Sequence, residues 1–116
     1  MRHHTVSLGF DARIPFETKL GGVAVDASAG PAVTEVWLNG TYDAGLFASA
    51  AVNQLQDAGA TNEAGAYEVV LDTSTTVVGD EVVVKVTATP TGGAAVSQLF
   101  AVSIVDPAST SVSSID

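Results

Sequence analysis

The apolar residues of this chain recur with a period of two over most of its length, and that periodicity constrains the fold more than any other feature. Between Glu81 and Ala88, the residues Val82, Val84, Val86 and Ala88 share one face, opposite Glu81, Val83, Lys85 and Thr87. Successive side chains of a strand point to opposite faces, whereas a helix would scatter this pattern around its circumference. Tyr67, Val69 and Leu71 alternate in the same way with Glu68, Val70 and Asp72, and Val96, Phe100, Val102 and Ile104 share a face in the last run, which ends at Val105. Near the start, Val6, Leu8, Phe10 and Ala12 alternate with Thr5, Ser7, Gly9 and Asp11, which predicts a single half-buried strand. Ile14 and Phe16 carry the same parity past Pro15. A proline has no N–H to give to a ladder, so this continuation predicts an edge, a bend or an arm.

Turn residues punctuate the runs. A short strand is predicted around Leu20 to Val25, then a loop rich in Ser, Ala, Gly and Pro, then a strand from Ala32 to Leu38 closed by Asn39-Gly40, both of which tolerate positive φ. The Ala content between Asp43 and Gln56 favours a helix, but Gly45 and the break at 57–60 weigh against a long one. An extended piece around Ala48 to Gln56 is therefore expected. Gly79-Asp80 and Gly92-Gly93 mark further turns, and Asp106-Pro107 ends the last strand. About seven short strands separated by turn signals, with no strong helix, predict an all-β fold, an antiparallel β-sandwich, with a small barrel as the second choice. The chain divides into an N-terminal strand or arm over 1–19, a sandwich over 20–106 and a tail over 107–116.

With 116 residues there is room for one domain, and 47% apolar against 15% charged residues is the balance of a chain that folds. Thirteen acidic and four basic side chains leave a net charge of −9. That field repels phosphate backbones and anionic membrane surfaces, so neither nucleic acid nor membrane is an expected partner, and a charged partner should present basic surface. The chain has no cysteine, which removes disulfides, thiolate metal sites and a cysteine nucleophile. The opening residues hold no apolar run of the length a secretory signal needs, and a soluble protein that is not exported by the general route is expected.

Little in the sequence points to catalysis. His3 and His4 are adjacent, so in an extended segment they face opposite ways and do not share one metal. The acidic residues are scattered, with Asp80-Glu81 as the one contiguous pair, and none fits a calcium-loop spacing. Asn39-Gly40-Thr41 fits the glycosylation acceptor pattern but reads first as a hairpin turn, and Gly92-Gly93 lacks the Lys-Ser/Thr helix start of a phosphate loop. No catalytic residue, cofactor or metal ligand is therefore expected. Trp37 and Tyr42 flank the Asn39-Gly40 turn, where an aromatic serves either as packing or as an anchor for a partner.

Taken in order, "PAVTEVWLNGTYDAGLFASA", "NEAGAYEVVLDTS" and "VVGDEVVVKVTATPTGGAAVSQLFAVSIV" resemble the small immunoglobulin-like domains of tailed-bacteriophage structural proteins. The matching features are the strand running into Asn39-Gly40, the Gly65-x-Tyr67 strand and the Gly79-Asp80 turn that opens the final hairpin. The resemblance covers roughly the last three-quarters of the chain. It implies an immunoglobulin-like β-sandwich and a virion structural role: a capsid decoration or cement protein, a head fibre base, or a neck or tail accessory. The implied partners are the major capsid protein or other virion proteins, with the chain acting as a homo-oligomer. The residues before Leu20 fall outside the resemblance. Their apolar face predicts an arm that joins a neighbour by strand addition, with Val6, Leu8, Phe10, Ile14 and Phe16 as anchors and Trp37 as a further contact. A carbohydrate- or cell-surface-binding sandwich with Trp37, Tyr42 and Tyr67 as an aromatic platform is the alternative, and an enzyme ranks last.

Overall fold

Alternation becomes burial in the final hairpin, where Val82, Val84, Phe100 and Val102 are all fully shielded from solvent. The computed structural model describes residues 2–106. Its strands are β1 (Arg2–Ser7), β2 (Ala12–Glu17), β3 (Lys19–Leu20), β4 (Val23–Ala24), β5 (Ala27–Leu38), β6 (Thr41–Tyr42), β7 (Ala51–Gln56), β8 (Asn62–Leu71), β9 (Glu81–Pro90) and β10 (Val96–Val105), with one short helix, α1 (Ala44–Ser49), between β6 and β7. The fold is thus all-β. One sheet has the order β1-β10-β9-β5-β6, a second has β2-β8-β7, and β3-β4 form a small separate hairpin.

The two larger sheets share one core. Ala12, Ile14 and Phe16 of β2 and Tyr67, Val69 and Leu71 of β8 enter it from one side. Val36 of β5, Val82, Val84 and Val86 of β9 and Phe100, Val102 and Ile104 of β10 enter from the other. Phe16 stacks on Tyr67 with centroids 5.8 Å apart and lies at the same distance, tilted, from Phe100. This aromatic trio supplies the largest side chains of a core otherwise built from six valines with Ala12, Ile14, Leu46, Leu71 and Ile104.

Three expectations about the N-terminal strands change. The stretch from Thr5 to Ala12 is not one strand: the chain turns at Leu8–Asp11, where Phe10 N–H donates to the Ser7 carbonyl (3.1 Å), and passes from the first sheet to the second. The inward parity holds for Val6 and Leu8 and again for Ala12, Ile14 and Phe16, but breaks at Phe10, which the turn carries out to solvent. β1 runs parallel to β10, from Arg2 opposite Phe100 to Ser7 opposite Val105, so the larger sheet is mixed rather than purely antiparallel. Residues 1–19 are consequently not an arm set apart from a sandwich beginning at residue 20, because residues 2–17 supply two of its strands. Of the edge, bend or arm expected at Pro15, the edge forms, since β2 is the outer strand of its sheet.

The remaining differences are local. The expected strand at Leu20–Val25 is a tiny hairpin turning at Gly21-Gly22. The segment expected to loop before Ala32 is the first part of β5, which reaches back to Ala27 through register shifts against β9. The extended piece expected from Ala48 begins at Ala51, because Asp43 caps a helix over Ala44–Ser49, its Oδ1 accepting from Leu46 N–H at 2.9 Å. So short a helix draws its stability from tertiary burial, and Leu46 is 2% exposed. The tail expected over 107–116 lies outside the described residues.

Candidate binding surfaces

The residues singled out as contacts separate by environment. Ile14 and Phe16 are 0% and 4% exposed and belong to the core, so they are not available as anchors on the folded surface. Val6 and Leu8 are half-buried against that core. Phe10 alone of the five projects, 65% exposed, from the turn where the chain changes sheets. Trp37 is half-buried on the outer face of the larger sheet, in a cross-strand row that runs Trp37, Val83, Ala101, His3. Tyr42 is exposed opposite Trp37 and tilts onto Phe47 of α1 at 6.3 Å. Tyr67 is in the core, its hydroxyl accepting from Ala27 N–H at 3.0 Å, so the three-aromatic platform does not form.

Hydrogen bonds gather at the two ends of the sandwich. At the end holding the β4–β5 connection, Asp26 Oδ1 accepts from Gln54 Nε2 (2.8 Å) and from Gly65 N–H (2.9 Å), while its carbonyl accepts from Thr91 N–H and Oγ1. Thr18 Oγ1 donates to the Val25 carbonyl beside them. This hub ties the β2–β3, β4–β5 and β9–β10 connections to β7 and β8 through hydrogen bonds already made within the fold. At the opposite end, Asp80 accepts from Val77 N–H (2.9 Å) and Asn39 Nδ2 (3.0 Å), and Asn39 Oδ1 accepts from Glu81 N–H (2.9 Å). The Asn39 amide is therefore spent on tying the β5–β6 turn to the start of β9. The Val77 N–H, and then Asn39, hold the Asp80 carboxyl below its ordinary pKa. Asp72 is held low by Ser74, chiefly through its backbone N–H.

Among the described residues no group of three or more His, Asp or Glu side chains is set to hold a metal. The two histidines face opposite sides of β1, as an extended segment dictates. His4 lies edge-on to Phe100 at 6.3 Å, and its Nε2 is shielded without a hydrogen-bond partner. Burial lowers the His4 pKa, and the charges of Arg2 and His3 add to the effect. Arg2 sits 5.6 Å above the Phe100 ring and donates to the Pro15 carbonyl at 2.9 Å. It edges a shallow groove of about 390 Å³ lined by Pro15, Phe16, Glu17, Leu55 and Ala66. Apart from Arg2 and Glu17 the lining is apolar, and no pair of groups there is placed for proton transfer.

One surface escapes a reading by alternation. Val77 and Val78, inside a stretch with the composition of a polar turn, are 62% and 49% exposed at the same end as Phe10. Thr73 Oγ1 donates to the Phe10 carbonyl at 2.7 Å and so binds the two loops together. The signal in the sequence is two valines between Thr76 and Gly79, in a segment that otherwise carries turn residues. No family of proteins, no curated protein and no solved structure matches the chain in sequence or in fold comparison.

Proposed function

We propose that this chain is an immunoglobulin-like module of a tailed-phage virion, most specifically a capsid decoration or cement protein that works through protein contacts and strand addition rather than catalysis. The order of the strands carries the reading. β2-β8-β7 on one side and β5-β9-β10 on the other follow the B-E-D and C-F-G arrangement of immunoglobulin-like sandwiches, with β6 and β1 added at the two edges of the second sheet. No disulfide links the sheets, which are held instead by the packing of Phe16, Tyr67 and Phe100 within the valine core. β1 supports the strand-addition part: it is a six-residue edge strand, tied to the fold chiefly by parallel pairing with β10, and such a strand is suited to exchange between neighbouring copies. Major capsid protein or other virion proteins would be the partners, with the chain present in many copies.

The test is addition of the purified protein to phage heads assembled without it. Saturable binding at a copy number matching the capsid lattice, together with greater resistance of the heads to heat, is the expected result. A protein that ignores the heads but is retained by immobilised glycans would replace this reading with the carbohydrate-binding alternative.

A further inference from the structure

The most exposed large apolar side chain among the described residues, Phe10, shares one end of the sandwich with two more, Val77 and Val78. Three loops or turns build that end: Leu8–Asp11, Asn39-Gly40 and Asp72–Asp80. The Thr73–Phe10 bond, the Asn39–Asp80 and Asn39–Glu81 bonds, and the Gly79 N–H to Ile104 carbonyl bond (3.0 Å) join them to each other and to the end of β10. The apolar side chains therefore stand on a braced platform, so little ordering entropy is lost when a partner covers them.

The charge around this platform is predominantly acidic. Asp11, Asp72, Asp80 and Glu81 lie in these loops or at their margins, and Asp106 follows β10 at the same end. Of the four basic residues, only Arg13, at the start of β2, stands beside this end, and its charge is paired with Glu68 at 2.9 Å; Lys19 and Lys85 pair with Glu17 and Glu35, and Arg2 begins β1 at the opposite end. Asp72 and Asp80 stay ionised to low pH because backbone N–H groups donate to them.

We propose that the Phe10, Val77 and Val78 end is a docking face for a protein surface that offers an apolar depression ringed by lysine or arginine. An apolar centre with a charged rim is the common anatomy of a specific interface, and the sign of the rim selects the partner. A second copy meeting this end face to face would set acidic rim against acidic rim, and nucleic acid or an anionic membrane would meet the same repulsion. The partner's identity as a virion protein rests on the function proposed above; its basic, apolar chemistry does not.

Two measurements separate those claims. The first is amide NMR of the full chain titrated with an amphipathic Leu/Lys peptide and, separately, with its Leu/Glu counterpart. Shifts confined to 8–11 and 72–81 with the Lys peptide alone, weakened by salt and reduced about tenfold in apparent affinity by Phe10→Ser/Val77→Ser/Val78→Ser, support the docking face. Shifts centred elsewhere, equal response to both peptides, contacts from residues 107–116 covering Phe10 in the free chain, or a dimer abolished by the triple variant would each overturn it. The second is binding of the wild type and the triple variant to heads lacking the protein. Binding by the wild type alone agrees with both proposals, and equal binding by the two overturns the face while keeping the virion role. Binding by neither removes the virion role and leaves the face to be decided by the peptide titration.

Discussion

Replacing Gly65 by alanine should damage this fold far more than the same change at Gly21, although the two glycines have nearly the same backbone conformation. Their φ angles are +69° and +61°, a region that costs an L-residue about 1–2 kcal/mol. Alanine returns about 0.4–1 kcal/mol by restricting the unfolded chain, so a site with open space should lose roughly 1 kcal/mol or less. Gly21 is such a site, with nothing within 4 Å of the position a Cβ would take. At Gly65 a Cβ would stand 2.7 Å from the Thr18 carbonyl oxygen and 2.8 Å from both the nitrogen and the carbonyl oxygen of Val25. Those atoms are not free to retreat. Val25 N–H donates to the Thr18 carbonyl (3.0 Å), Thr18 N–H donates to the Gly65 carbonyl (2.8 Å), and Gly65 N–H is held by Asp26. Forcing a methyl group into a braced site adds about 1–3 kcal/mol, for a total near 2–4 kcal/mol. A domain of this size loses about 4–8 °C in Tm for each kcal/mol. Scanning calorimetry at neutral pH should therefore place Gly65→Ala roughly 8–30 °C below wild type and Gly21→Ala no more than about 8 °C below it. Equal losses at the two positions would refute the close approach of backbones at Gly65.

Ile14→Ala should lower the unfolding free energy by about 2–5 kcal/mol in urea titrations, since the side chain is fully buried, whereas Phe10→Ala should change it by less than about 0.5 kcal/mol. Comparable effects would mean that the N-terminal strands are not packed as described. Tyr67→Phe should cost about 1–2 kcal/mol by leaving Ala27 N–H without its acceptor, and a neutral outcome by the same assay would remove that bond from the account. Folding holds the His4 pKa below its ordinary 6.5, so the unfolded chain takes up the proton first. Stability from this residue is accordingly complete above pH 6.5 and declines as the pH falls from there through the folded pKa. The urea midpoint should drop over that window in wild type and in His3→Gln, and less so in His4→Gln; an unchanged slope in His4→Gln would assign the drop to other groups.

The parts legible in the sequence are those controlled by local alternation. Tyr67, Val69 and Leu71, Val82, Val84, Val86 and Ala88, and Phe100, Val102 and Ile104 are buried as their spacing requires, because a strand of either facing sheet has one dry side whatever its neighbours. Proline at an edge and Asn39-Gly40 at a hairpin are equally local properties. The helix at Ala44–Ser49 is hidden because Asp43 and Leu46 form it through one cap and one buried side chain, a signal weaker than the breaks around it. The outward Phe10, Val77 and Val78 are hidden for the opposite reason: alternation marks Phe10 as inward, and only the turn at Leu8–Asp11 carries it past the last layer of the core.

The sequence by itself thus determined that this is an all-β, acidic, cysteine-free chain, and which face of each long strand is dry, because period and composition are properties of a segment alone. Only the tertiary structure decided which sheet each strand joins, that β1 lies parallel to β10, that Ile14 and Phe16 are core rather than anchors, and that three exposed apolar side chains stand at the same acidic end. Those outcomes depend on contacts between residues far apart in the chain, such as Thr73 with Phe10 and Asn39 with Asp80, and no local pattern encodes the partner across such a distance.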